Sequence, residues 1–394
     1  MAGSIRRRGK GTWEVTVDLG RDPTTGRRRR RFLAVKGNKR DAERAQAEAV
    51  HLRDTGIDLS PDKMTVAQYL RRWLRDYAAH NVAPSTLARY QGIVDHHLIP
   101  TLGSLRLQEL RPAHIQAAYG RALAAGGRAD GRGGSLSARS VIQHHRVLRE
   151  ALKHAVRWQL LARNPADAVQ PPQQQRNEMR VLSQEEAHRL LEAATGGSYH
   201  SLIYVALATG ARLGELLALR WQDIDMERGT MRIIRTAQRL PGKGIIFHSP
   251  KTHRATRPVA LSPETVRVLR EHRRRQLEER LLIGPAYRDQ DLAFARATGD
   301  PLDGPAVYKA FVRLAEGAGL GRPRFHDLRH TAATLMLTAG VHPKIVSERL
   351  GHATVSITLD TYSHVLPDLQ RDAALAMDEI FGRQNVGKRA SGVD

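Results

Sequence analysis

Two arginines, two histidines and one tyrosine in the C-terminal half of this sequence form a set suited to breaking a phosphodiester without a metal. His326 and Arg329 stand three apart in HDLRHTAAT (326–334). His352 sits in a Leu350-Gly351-His352 turn, Tyr362 follows ten residues on, and Arg212 lies upstream in ATGARLGE (208–215). The transition state of phosphoryl transfer gathers negative charge on its non-bridging oxygens. Arginine opposes that charge with a planar fork of donors that stays protonated, so Arg212 and Arg329 can clamp a phosphate from two sides. A three-residue spacing puts His326 and Arg329 on one helical face, and His352 reaches in from its turn as a second donor or proton acceptor. Lys251, in SPKTHR (249–254) between two strand patterns, can protonate a leaving oxygen. Tyr362 would be the nucleophile. Its phenol, with a reference pKa near 10, costs roughly 4 kcal/mol to ionise in advance at neutral pH, and a neighbouring imidazole or a cluster of cations lowers that cost. A phosphotyrosyl bond keeps most of the energy of the phosphodiester, so a different 5′-hydroxyl can rejoin the strand without ATP. No nucleotide loop competes with this reading: Pro241-Gly242-Lys243 has Ala237 where the first glycine of a phosphate-binding loop belongs.

Taken singly, these residues are ordinary. An arginine after Thr-Gly usually caps a helix or faces water, a tyrosine in Thr-Tyr-Ser is usually structural, and Lys251 alone is as readily a phosphate contact. His326 and His330 have the i, i+4 spacing of a metal pair, but Arg329 stands between them and no glutamate is near, so neither metal nor cofactor is expected. It is the ordered combination that points to strand cleavage.

The rest of the chain bears this out. Its 394 residues allow two or three domains, and 41% hydrophobic residues suffice for packed cores. The formal net charge of +23 points to a polyanion, nucleic acid first. The absence of cysteine excludes disulfides, thiolate nucleophiles and cysteine-ligated zinc. No stretch approaches about 18 consecutive apolar residues, and no apolar run follows Arg6-Arg7-Arg8, so neither a membrane span nor a secretory signal is expected.

In chain order, residues 1–60 predict a small domain of two or three strands and one helix. Trp13 to Val17 alternates as a strand, Asp22 to Gly26 is a turn, Phe32 to Val35 is a second strand and Lys39 to Leu52 is helical. Trp13 and Phe32 are expected to form its core, and Arg27, Arg28, Arg29, Arg30 and Arg31 to project toward a DNA groove. Residues 64–170 read as an all-helical domain. A Thr65–Gln68 capping box opens the first helix, Pro84 starts a second that Pro100 closes, Pro112 opens a third, and Ser137 to Leu161 is a fourth. Tyr69, Trp73 and Tyr77 are expected in its core. The Pro/Gln-rich stretch from Pro165 to Met179 is a linker, centred on 171–180. Residues 181–385 form a third domain, capped at Ser183. It carries strands at Thr230 to Ile234, Gly244 to Phe247 and Arg257 to Leu261, with helices on either side. The tail, 386–394, is expected to be disordered. The fold class is thus multidomain and mainly α, with small β-sheets.

The segments ATGARLGELLALRWQDID (208–225), SPKTHRATRPVAL (249–261), HDLRHTAAT (326–334) and LGHATVSITLDTYSHV (350–365) together resemble the tyrosine recombinases, specifically the phage-type integrases, over nearly the whole chain. The resemblance implies an arm-site DNA-binding domain, a helical core-binding domain and an α+β catalytic domain, the last two forming a C-shaped clamp on DNA. It makes Arg212, Lys251, His326, Arg329 and His352 activating residues, Tyr362 the nucleophile and Glu215 a supporting acid. The long segment from Arg235 to Phe247 departs from the family pattern and leaves Lys243 and Lys309 as alternatives to Lys251. Double-stranded DNA at attachment sites is the implied partner. A homotetramer at synapsis, accessory DNA-bending and excision factors, and a bacterial cytoplasm with nucleoid association are also implied. The helix from Asp372 to Phe381 would dock on a neighbouring subunit. Two other functions are compatible with such a fold: a catalytically silent DNA-binding regulator, which the intact residue set disfavours, and a monomeric DNA-relaxing enzyme, which the basic N-terminal segment disfavours.

Overall fold

The computed structural model describes the chain except residues 1–2, 22–25, 27, 55–63, 126–127, 132, 175–179, 241, 250–255, 363–368 and 383–394. Two units divide it, Met1–Arg176 and Asn177–Asp394. Both conform to the expected class, helices with small antiparallel sheets.

The first unit begins with β1 (Ser4–Gly9), β2 (Thr12–Arg21) and β3 (Arg28–Lys36), antiparallel in that order, followed by α1 (Lys39–Asp54). Alternation along β2 turns Val15 and Val17 into a small core shared with Ala42 and Ala49 of α1. Trp13 packs against this core and donates its indole N–H to the Gly37 carbonyl at 3.2 Å. Phe32 does not join it. The residue pairs with Thr16, on the face opposite Leu33 and Val35, and is 61% exposed. Period-two geometry overrides hydrophobicity here, because moving Phe32 inward would expose both of its neighbours. Of the five-arginine run, Arg27 lies outside the described residues, and Arg28 pairs with Asp18 at 2.6 Å.

The helical part of this unit holds α2 (Val66–Trp73) and α3 (Ala79–Asn81), joined by a π turn at Leu74–Ala78. It continues with α4 (Pro84–Ile93) and α5 (Ile99–Leu102), joined by a π turn at Val94–Leu98, and then α6 (Pro112–Leu123) and α7 (Ala138–Arg157). The capping box forms as read: Thr65 Oγ1 accepts from the Gln68 N–H, and Gln68 Oε1 accepts from the Thr65 N–H. Tyr69 and Trp73 are fully buried. The second helical run does not stop at Pro100. It continues to Leu102, because the π turn ends just before and Pro100 falls in the first turn of α5, where a missing N–H breaks no bond. The expected linker also starts later than its prolines suggest. Pro165–Ala168 is a 3₁₀ turn capped by Asn164, and Ala166 and Val169 close the helical core.

The second unit runs α8 (Gln184–Ala194), α9 (His200–Thr209), α10 (Leu213–Leu216), then β4 (Ile224–Asp225), β5 (Thr230–Ile233), β6 (Thr236–Leu240), β7 (Gly244–His248) and β8 (Arg257–Ala260). It finishes with α11 (Pro263–Ile283), α12 (Gly304–Gly317), α13 (Asp327–Thr338), α14 (Pro343–Leu350), α15 (Val355–Tyr362) and α16 (Leu369–Gly382). Strands β4, β5 and β8 make one sheet; β6 and β7 make a separate hairpin. The departure from pattern at Arg235 to Phe247 is this hairpin, with Thr236 opposite His248. Helix α10 is a single turn. A main core includes Leu190, Ile203, Leu216, Met231, Phe311 and Leu328. A smaller cluster of Ala333, Leu337, Val346, Leu350 and Tyr362 ties α13, α14 and α15 together. On α16, Leu375, Met377, Ile380 and Phe381 are exposed. Among the described residues no helix is long and apolar enough to cross a membrane.

Candidate active site

Three helix ends and a hairpin converge in the second unit. Helix α9 terminates at Gly210, whose φ of +66° suits glycine, and a Cβ there would lie 2.3 Å from Leu350 Cδ2. That close approach brings the chain reversal before α10 against the end of α14. Arg212 stands at the start of α10. Its N–H donates to Glu215 Oε2 at 3.0 Å and its Nη1 to Glu215 Oε1 at 2.8 Å. Glu215 is buried and also takes two bonds from Arg257 of β8, at 2.9 and 3.3 Å. Burial works to raise the Glu215 pKa, but Arg257 and Arg212 outweigh it and hold the carboxyl below its ordinary value. Arg257 further donates to the Arg349 carbonyl at 2.7 Å, and Arg349 to the carbonyls of Ala260 and Ala208. Two buried or half-buried arginines thus bind β8, α9, α10 and α14 into one frame.

Helix α13 supplies the next group. Asp327 is buried and accepts from the Arg324 backbone N–H and guanidinium, which pins the start of the helix. One turn in, Arg329 is buried and donates to the carbonyls of Gly210 at 2.8 Å and Leu350 at 2.6 Å. Burial and Arg212 push its pKa down to about 9, which still leaves it charged at neutral pH. His326 and His330, one turn apart, meet edge to face with ring centres 5.0 Å apart. Burial, His330, Arg329 and Arg212 push His326 down to about 4. His352 follows Gly351, another left-handed position, and its Nδ1 lies 2.7 Å from Thr358 Oγ1. Burial, Arg329 and Arg212 lower it to about 4 as well. Both imidazoles are therefore neutral at pH 7.

Tyr362 ends α15. Only 1% exposed, it packs with Leu350 and Val346, and its Oη lies 2.7 Å from His330 Nδ1. Burial raises the phenol to about 12, against the pull of Arg329. A cavity of about 570 Å³ is lined by Arg212, Glu215, His326, Arg329, His330, His352 and Tyr362, with Thr236 and His248 contributed by the hairpin. Of the expected site residues, Arg212, His326, Arg329, His352, Tyr362 and Glu215 therefore share one cavity; Lys251 lies outside the described residues. Among the described residues no cluster of three or more His, Asp or Glu is arranged to hold a metal.

Three residues went unassigned in the sequence: His330, Arg257 and Arg349. The signal for His330 was its i, i+4 relation to His326. For Arg257 it was an arginine on the inward register of a strand, alongside Val259. Arg349 left none, because an arginine in the last turn of a helix usually faces water.

Comparison with known proteins gives the family. Residues 180–368 match the phage integrase family, and residues 65–121 match the phage integrase N-terminal SAM-like domain. An integrase of Streptomyces ambofaciens is 30% identical over 94% of this chain and 94% of its own length. A XerC-like tyrosine recombinase of Caldanaerobacter subterraneus subsp. tengcongensis is 28% identical over 95% of this chain and 98% of its own. Among solved structures, the Tn1549 transposon integrase in complex with a circular intermediate DNA shares the fold, with a TM-score of 0.66 at 20% identity, over 80% of this chain and 99% of that one. A lambda integrase tetramer bound to a Holliday junction superposes with a TM-score of 0.55 at 20% identity, over 90% and 94%. The chain belongs to the phage integrase family of tyrosine recombinases, enzymes that cleave and rejoin DNA.

Proposed function

We propose that this chain recombines double-stranded DNA at specific attachment sites, integrating or excising a phage or other mobile element through a 3′-phosphotyrosine at Tyr362. The observation that carries the reading is the single cavity holding the guanidinium groups of Arg212 and Arg329, the neutral imidazoles of His326 and His352, and the phenol of Tyr362. Arg212 and Arg329 hold the non-bridging oxygens of the scissile phosphate. Glu215 and Arg257 orient Arg212. The Gly210 and Leu350 carbonyls orient Arg329. With the Thr358 hydroxyl donating to Nδ1, His352 keeps its proton on Nε2 as a neutral donor to the phosphate, and His326 serves beside it. The phenolic oxygen attacks phosphorus, the 5′-oxygen leaves, and Lys251 protonates it. A phenol near 12 is about five units above neutral, so free phenolate would cost about 7 kcal/mol. Proton removal therefore accompanies attack.

Residues 1–60 would bind arm-type sites, 64–170 core sites, and 181–385 would do the chemistry. The exposed apolar face of α16 would dock on a neighbouring subunit, in a tetramer like that of lambda integrase on its junction. Accessory bending or excision factors would set direction, on the host's DNA in the cytoplasm. The test is trapping on a nicked suicide duplex. Wild type should form a covalent adduct that maps to Tyr362, and Tyr362→Phe should form none while binding the duplex as tightly. An adduct in Tyr362→Phe would refute the nucleophile, and the absence of any wild-type adduct would refute the cleavage chemistry.

A further inference from the structure

Resting on the reading of Tyr362 as nucleophile, we propose that His330 is the general base that takes the phenolic proton during cleavage and returns it when the strand is rejoined. Its Nδ1 lies 2.7 Å from Tyr362 Oη, in direct contact with the reacting atom. The other imidazoles lining the cavity are engaged differently, His248 with its Nδ1 3.1 Å from the Ser249 carbonyl. His352 spends its Nδ1 on Thr358, and His326 meets the ring of His330 edge to face. Both ends of the His330–Tyr362 contact are braced. His330 stands on α13, whose start is pinned by Asp327 and Arg324. Tyr362 is fixed by the packing of α15 on α13 and α14. Burial, with Arg324 and Arg329 acting in the same direction and Asp327 opposing them, leaves the His330 imidazole less basic than usual, hence unprotonated and able to accept at neutral pH. The acceptor must be Nδ1, so the resting tautomer carries its proton on Nε2.

The step balances. The Oη–P bond forms as the O–H bond breaks, and that proton passes to Nδ1 and makes an imidazolium. The P–O5′ bond breaks, and its electron pair leaves with the 5′-oxygen, which is protonated by the general acid. On rejoining, an incoming 5′-hydroxyl attacks phosphorus and gives its proton back to the conjugate base of the general acid, the P–Oη bond breaks, and the departing tyrosine oxygen recovers its proton from His330.

His330→Asn keeps a hydrogen-bonding group near the Nδ1 position but cannot hold the proton. In single-turnover cleavage of a nicked suicide duplex this variant should be slowed about 100-fold, with duplex binding and melting temperature unchanged. Replacing Tyr362 by 3-fluorotyrosine, a more acidic phenol, should restore at least tenfold of that loss in the His330→Asn background, yet change the wild-type rate less than threefold. A residue that merely packs against the ring would give no such rescue. Cleavage by His330→Asn at or above the wild-type rate, or a loss that fluorotyrosine does not relieve, overturns the assignment. Should the variant fold poorly, the wild-type background alone decides. A fluorotyrosine rate within threefold supports a base at the phenol, and a tenfold gain shows there is none. Tyr362→Phe separates the two readings: an adduct in that variant sinks the nucleophile, whereas its loss together with unimpaired His330→Asn sinks only the base.

Discussion

At the residue scale, the site is a problem of keeping like charges together. Arg212, Arg257 and Arg329 crowd one buried carboxylate, Glu215, and the pKa of Arg329 falls for that reason as well as for burial. Replacing Glu215 with Gln keeps the shape and removes the charge. Breaking a buried pair in this way is expected to destabilise the second unit by about 3–5 kcal/mol at pH 7. The pH dependence has a definite sign. The folded-state pKa of Glu215 lies below its ordinary value of 4.5, so its contribution is complete above about pH 4.5 and is lost as pH falls through the folded value. Denaturant melts of wild type and Glu215→Gln should therefore converge in acid; a gap that stays constant down to pH 3 would contradict the charge-based account. That Arg212, His326, Arg329, His352 and Tyr362 would come together was legible in the sequence because phosphoryl transfer calls for arginine and because they stand in segments that resemble those of the family. His330 and Arg257 were not, since their roles depend on which atoms folding brings within 3 Å of Oη and of Glu215.

At the element scale, the site depends on three chain ends meeting: the stop of α9, the start of α10 and the stop of α14. Gly210 makes this contact feasible. It adopts a left-handed conformation, its carbonyl receives Arg329, and it leaves no room for a side chain beside Leu350. Gly210→Ala combines a strained backbone with overpacking and should cost about 2–4 kcal/mol. It should also slow cleavage, because the acceptor that orients Arg329 is displaced. Denaturation midpoints with suicide-duplex cleavage on the same protein check both effects. A variant as stable and as fast as wild type would show that the contact tolerates a methyl group. Capping boxes, proline starts and strand alternation made most elements readable in advance. The misreadings have local causes. Strand β6, with only Ala237 and Leu240 apolar among its five residues, showed no strand pattern of its own, because pairing with β7 supplies its order. Helix α5 carries a proline that reads as a stop, and the π turn before it removes the conflict.

At the scale of the whole molecule, charge dominates. A formal +23 over 394 residues means that the gain on meeting a duplex comes largely from released counterions. Several acidic residues are already spent internally, as in the Asp18–Arg28, Asp167–Arg149 and Asp303–Arg239 pairs, so not every arginine is available to DNA. If each unit engages about three to five phosphates, the combined footprint of roughly 6–10 contacts would lower affinity by about 10³–10⁵ between 50 and 200 mM salt. A single unit acting alone would show about half that logarithmic slope. Titrating a fluorescent attachment-site duplex across this range measures the slope directly. A chain cut within 175–179 gives each half's share, and the two slopes should sum to that of the intact protein. A slope near zero for the 177–394 half would mean that the cavity of Arg212, Arg329 and Tyr362 receives a phosphate only when the first unit has already anchored the duplex.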